Sequence, residues 1–209
     1  MDKFLLALLL LLTACTPATA APPLQVVKIH ATAAAQPWLM EASNCAAGSS
    51  VILSNVLDPV EADILLLVGE PDHLTTPAFQ VDREDLLVVT NDESLAQNLS
   101  ADEVRALFAG QGQAEVEIWV FALGEDLQQV FAREIMRGTP VSSLARLATS
   151  PRQMSDVLKS EKKAIGILGR RWKTDAQREV FSLSNQPVLA IPAAEPQGAV
   201  KELLACLQK

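Results

Sequence analysis

Apolar and polar positions fall into three regimes along this chain. The first is an almost unbroken apolar run from Phe4 to Leu12, preceded by Met1-Asp2-Lys3. A charged start, a short apolar stretch and small residues before a cleavage point predict a secretory signal over residues 1–14. The run is too short to cross a bilayer as a stable helix. The second regime, residues 15–23, is rich in Pro, Ala and Thr and predicts a tether. From Leu24 onward, short apolar runs alternate with amphipathic stretches.

The strand pattern is clearest at Ala62 to Val68, ADILLLV, a continuous apolar run suited to a strand buried on both faces. Leu24 to His30, Ser50 to Val56, Asp85 to Thr90, Glu115 to Ala122, Ala164 to Leu168 and Glu179 to Ile191 also predict extended chain. Gly166 lies inside one of these, where it allows close backbone packing. Between them lie helices. Gln36-Pro37 opens one, since Pro is tolerated in a first turn; Trp38, Leu39, Ala42 and Cys45 share its apolar face. Ser100 and Glu103 have capping-box spacing, Leu99 and Val104 staple spacing, and Gly110 ends that helix. Leu127, Val130, Phe131 and Ile135 form the stripe of the next. Ser150, Pro151 and Gln153 repeat the cap logic before Met154, Val157 and Leu158, and a last helix carries Leu203, Cys206 and Leu207. Strands alternating with helices predict an α/β fold with a parallel sheet and right-handed crossovers.

Composition narrows the function classes. The formal charge is −8, with no basic run. That disfavours nucleic acid and anionic membrane surfaces as partners. Aromatics make up 4% of the chain, with no Tyr, so a carbohydrate platform or aromatic cage is disfavoured. His30 and His73 are too few and too isolated for a zinc site. No Walker loop and no nucleophile elbow occur. The expectation is therefore a non-enzymatic, metal-free and cofactor-free protein. Arg170-Arg171 reads as a solvated pair at a strand end.

Beyond the signal box, two cysteines remain, Cys45 and Cys206, both on buried helix faces. In an extracytoplasmic compartment they predict a disulfide joining the two ends of the chain; two unpaired core thiols are the alternative. A bridge would close a loop of about 160 residues, worth roughly 5 kcal/mol at most by chain entropy. The box itself, Leu12-Thr13-Ala14-Cys15, resembles the lipobox of bacterial lipoproteins. That resemblance implies cleavage before Cys15, lipidation of Cys15 and an extracytoplasmic chain anchored to a membrane.

Four further segments, LSADEVRALFAG (Leu99 to Gly110), VEIWVFALGED (Val116 to Asp126), SPRQMSDVL (Ser150 to Leu158) and AIGIL (Ala164 to Leu168), stand in an informative order. Together they resemble the second half of phosphate-binding-protein-like, type 2 periplasmic solute-binding proteins. The resemblance implies two α/β lobes, each a mainly parallel sheet flanked by helices. Lobe 1 would be residues 24–88 plus 186–209 and lobe 2 residues 89–185, with crossings near Asp85 to Asp92 and Phe181 to Leu189. The last helix would return to lobe 1, bringing Cys206 toward Cys45. Ligand would be held between the lobes by hinge closure, in a monomer docking to an ABC permease.

The family's phosphate-binding Gly-Ser-Gly-Thr turn is here Leu123-Gly124-Glu125-Asp126, and Phe121 stands near the expected Arg position. Phosphate is therefore a doubtful ligand. The candidate ligand residues are Gly124, Glu125 and Asp126; Thr32, Ala34, Ala35 and Gln36 in the loop before the first helix; Glu70 at a strand's carboxyl end; and Ser143 with Arg146. Plain readings stand beside these: helix capping for Glu125 and Asp126, a solvated turn for Glu70, a surface ion pair for Arg146. Two functions follow: the binding component of an ABC importer, or a non-transport lipoprotein using the fold as a sensor or interaction module.

Overall fold

The structure is a computed structural model that describes residues 24–94, 97–111 and 116–209. The signal, Cys15 and tether expectations lie outside the described residues. The strands are β1 (Gln25–Ala31), β2 (Val51–Asn55), β3 (Ile64–Val68), β4 (Phe79–Asn91), β5 (Glu117–Val120), β6 (Arg146–Leu147), β7 (Ala164–Gly169) and β8 (Gln177–Pro192). The helices are α1 (Trp38–Ala47), α2 (Ala101–Ala106), α3 (Asp126–Phe131), α4 (Pro151–Ser160) and α5 (Gly198–Leu207). Wider turns extend α2 over Leu107–Gln111 and α3 over Ala132–Met136.

Among the described residues these strands form one sheet in the order β2-β1-β3-β8-β4-β7-β5-β6. β1 pairs parallel with β2 and β3 at one end, and β5 pairs parallel with β7 and β6 at the other. The long antiparallel pair β4 and β8 runs through the middle, β8 reaching β3 and β4 reaching β7. The two parallel halves are thus joined by two continuous strands.

Local signals explain most boundaries. Ser100 and Glu103 form a complete capping box on α2. Ser150 Oγ accepts the Gln153 N–H at the start of α4, and Gly110 breaks the α2 extension at φ 82°. β4 begins at Phe79, six residues before the expected Asp85. Residues 79–84 alternate with charges, and their strand state is set by pairing with β8, including Gln80 with Leu189 and Arg83 with Pro187.

The core follows the apolar runs. Ile64, Leu66 and Val68 of β3, Leu86 to Val89 of β4 and Ile165, Ile167 and Leu168 of β7 are buried. Gly166 is required by packing, because a Cβ there would lie 2.6 Å from Met154 Sδ. Phe108 and Phe131 pack ring to ring at 4.7 Å, tilted by 56°, which ties the α2 extension to α3. The Cys45 and Cys206 sulfurs lie at bonding distance, with Cα atoms 5.8 Å apart, fastening α5 to α1 on the β1 side of the sheet.

Candidate functional site

The carboxyl ends of β1, β2 and β3 open on the same side of the sheet, where ligands of open α/β folds sit. Facing them is the turn from β5 into α3. Between the two lies a cleft of about 720 Å³. Its first wall is His30 to Ala33 with Gln36 and Leu39, Asn55 to Leu57, and Leu67, Val68, Glu70 and Pro71. Its second wall is Gly124, Glu125, Asp126 and Gln129.

Asp126 is the decisive side chain. It is 9% exposed. Its Oδ2 accepts from Thr32 Oγ1 at 2.6 Å and from the Val68 N–H at 2.9 Å, and its Oδ1 accepts from the Leu127 N–H at 2.9 Å. The last is a bond to the next residue within the first turn of α3, whose N-cap residue Glu125 makes no side-chain capping bond. The first two cross from α3 to β1 and β3. The β3 register explains why a donor is waiting. β1 pairs with β3 only as far as Ala31 with Leu66, so on that side Val68 has no strand partner. Burial pushes the Asp126 carboxyl above its ordinary value, although these hydrogen bonds pull the other way. Glu125 is also raised, by burial and then by the neighbouring Asp126.

The remaining polar lining carries little positive charge. His30 Nδ1 lies 3.0 Å from the Val56 carbonyl oxygen; if Nδ1 carries the proton in a neutral ring, Nε2 is an acceptor. Among the described residues, no Lys or Arg lines the cleft. Arg133 reaches its rim, where Nη1 donates to the Glu70 carbonyl and Nε to Glu134. Phe121, near the expected Arg position, is buried, and its N–H donates to Gln128 Oε1 at 3.1 Å.

The structure gathers Thr32, Gln36, Glu70, Gly124, Glu125 and Asp126 around one cavity and leaves the other candidates out. Ala34 and Ala35 are buried. The Ala35 N–H is spent on Thr32, and the Ala34 carbonyl accepts from Trp172 Nε1 at 3.1 Å. They hold the loop together rather than face the cleft. Ser143 is exposed in a turn outside the cleft lining. Arg146 sits on the edge strand β6, pairing with Glu117 at 3.2 Å and stacking over Trp119 at 5.6 Å. Both are therefore corrected, because β6 is the outermost strand on the far side of β5.

Arg170 and Arg171 are exposed at the end of β7, as expected of a pair at a strand end, and both also make ion pairs. Arg171 lies over the Trp38 ring at 4.4 Å and pairs with Glu41 at 2.6 Å and Asp82 at 2.7 Å. Arg170 pairs with Asp85 and Glu179. Together with Trp172, Arg171 joins the end of β7 to α1 and its preceding loop. Sequence reasoning missed His30, Asn55, Leu57 and Gln129. The first two end apolar parallel strands, a signal that could have found them; Leu57 and Gln129 have no such mark.

No protein-family profile matches the chain, and no curated protein sequence matches it. Solved structures do. A Clostridium perfringens protein assigned as a phosphate ABC transporter substrate-binding protein, solved with bound phosphate, superposes with a TM-score of 0.75. The identity is 9%, over 88% of this chain and 93% of that one. An ABC-type phosphate transport receptor from Vibrio cholerae gives 0.63 at 15% identity, over 88% and 93%. The sulfate-bound regulatory domain of an OxyR2 variant from Vibrio vulnificus gives 0.67 at 10% identity, over 91% and 99%. The fold is that of the type 2 periplasmic binding proteins. These neighbours are binding proteins and regulatory domains, and at such identities they share the fold alone.

Proposed function

We propose that this chain is a lipid-anchored extracytoplasmic binding protein whose cleft takes a small polar ligand that is neutral or cationic. The carrying observation is the lining: Glu70, Glu125 and Asp126 are present, and no Lys or Arg lines it among the described residues. Two of the structural neighbours named above were solved with phosphate or sulfate bound. Here an oxyanion near Asp126 or Glu125 would meet like charge, at about 4 kcal/mol for a 4 Å contact at an effective dielectric of 20. In the importer reading, hinge closure over the solute precedes docking to an ABC permease.

The second reading, a sensor or interaction module without transport, is favoured by one observation. Asp126 bridges the two cleft walls through Thr32 and Val68. A thermal-shift screen of amines, sugars, amino acids and oxyanions, on protein lacking residues 1 to 15, tests the ligand class. A shift with an amine or sugar and none with oxyanions supports the proposal; a shift with oxyanions alone overturns it. Membrane release of a Cys15→Ser variant tests the anchor, and unchanged fractionation counts against it. Linked peptides from non-reduced digests test the Cys45–Cys206 disulfide, which two free thiols would refute.

A further inference from the structure

Three donors converge beside the cleft floor: the hydroxyl of Thr32 and the N–H groups of Val68 and Leu127. They come from three separate segments, the β1–α1 loop, the end of β3 and the first turn of α3. All are directed at one carboxylate. Each would be costly to leave unmade in a buried setting. Val68 shows this most plainly, because it pairs with Val188 of β8 on one side and lies past the end of β1 on the other. Donors from converging segments around a buried space form a receptor for an oxyanion. In this chain the oxyanion is covalently attached.

We infer that the Asp126 carboxylate is a built-in occupant of an oxyanion position, so that the chain joins the two walls of its own cleft through one of its own side chains. Three consequences follow from the geometry. The cleft floor is tied across by Asp126, whose hydrogen bonds link β3, the β1–α1 loop and α3. Any ligand in the remaining 720 Å³ sits above this carboxylate rather than replacing it. Removal of the carboxylate, with the backbone kept, exposes a set of donors that an added oxyanion can use. The neighbouring packing keeps those donors in place. Gly69 has φ 85° and lies so close to Val130 that a Cβ would run into Val130 Cγ2. The end of β3 is thereby seated directly on α3, independently of Asp126.

The inference does not depend on the ligand class proposed above and holds equally for a sensor. Its test uses sulfate as the probe, at constant ionic strength against chloride. Wild type should show no sulfate-dependent change in Tm. Asp126→Ala should acquire one. Asp126→Asn, which keeps an acceptor in place, should show none. Adding Thr32→Val to Asp126→Ala should abolish the gain. A folded Asp126→Ala protein indifferent to sulfate overturns the inference. So does an equal gain in Asp126→Asn, which would mean that charge repulsion rather than occupancy excludes the anion. Should Asp126→Ala fail to fold, amide hydrogen exchange in the wild type decides. Val68 should be protected without ligand by on the order of tenfold to a hundredfold through its charged acceptor. Exchange at the rate of an open amide overturns the inference.

Discussion

Two buried carboxylates lie where the halves of the sheet meet, and their surroundings differ. Glu84, on β4, is 4% exposed and accepts the N–H groups of Asp85, Arg170 and Arg171. Asp126, on α3, also accepts three donors but sits beside a cavity. Burial raises both carboxyls, and hydrogen bonds oppose the rise in both. At Glu84 the Arg171 charge also opposes it; no cation does so at Asp126. The first carboxylate is held in a seam beside Arg171 and does not line the cleft. The second is an unneutralised charge at the edge of a space that water or a ligand can enter. Burial alone therefore marks neither as functional. What distinguishes Asp126 is that two of its three donors, Thr32 and Val68, come from the opposite cleft wall.

The comparison is broken most easily at Glu84. Glu84→Ala leaves three part-buried N–H groups without an acceptor and should cost about 3 kcal/mol in urea unfolding. Asp126→Ala also frees three donors, but water from the cleft can reach them, so its cost should be nearer 1 to 2 kcal/mol. Equal losses would show that the cleft does not relieve the Asp126 site.

The pH response sharpens the contrast. A carboxyl raised in the folded state holds its proton where the unfolded chain has already lost it. Stability then falls as pH rises from the ordinary carboxylate value through the raised one, and recovers as pH drops. Asp82 and Asp85 act in the opposite sense. At each, burial is outweighed by hydrogen bonds and an arginine, and the carboxyl lies below its ordinary value. Their contribution is lost only as pH falls through those lowered values. Asp126→Asn should remove its share of the first effect, so the variant gains on wild type toward neutrality. Parallel urea midpoints across that range would show a flat difference if Asp126 titrates normally.

The smallest expected effect is at the back of the cleft. Arg171→Ala removes two ion pairs and the stack on Trp38. Its side chain is 38% exposed, so solvent screens the pairs and the loss should be about 1 kcal/mol. A loss as large as that of Glu84→Ala would mean that the side chain of Arg171, not the turn held by Glu84, carries the seam.

The sequence made legible what is local or periodic. The Ser100 and Ser150 caps, the ADILLLV strand, the α3 stripe and the close packing at Gly166 were readable because each depends on residues a few positions apart. The acidic turn Gly124-Glu125-Asp126 was readable as a departure from an anion site. Its target was not, because Thr32 and Val68 lie 94 and 58 residues away. The contacts of Arg171 and Trp172 were not legible for the same reason, since their partners Glu41 and Ala34 are 130 and 138 residues distant. Arg146 reads as a cleft candidate beside Ser143. The sheet order puts it on the outer edge.

The central claim is that this cleft, in a fold shared with a phosphate-bound neighbour, does not take phosphate because its own Asp126 carboxylate holds the position. The most direct measurement is the melting temperature of the wild-type protein in millimolar phosphate at constant ionic strength. The account predicts no change. Phosphate at a hundred times its dissociation constant would add about 2.7 kcal/mol, so a clear dose-dependent rise would contradict it.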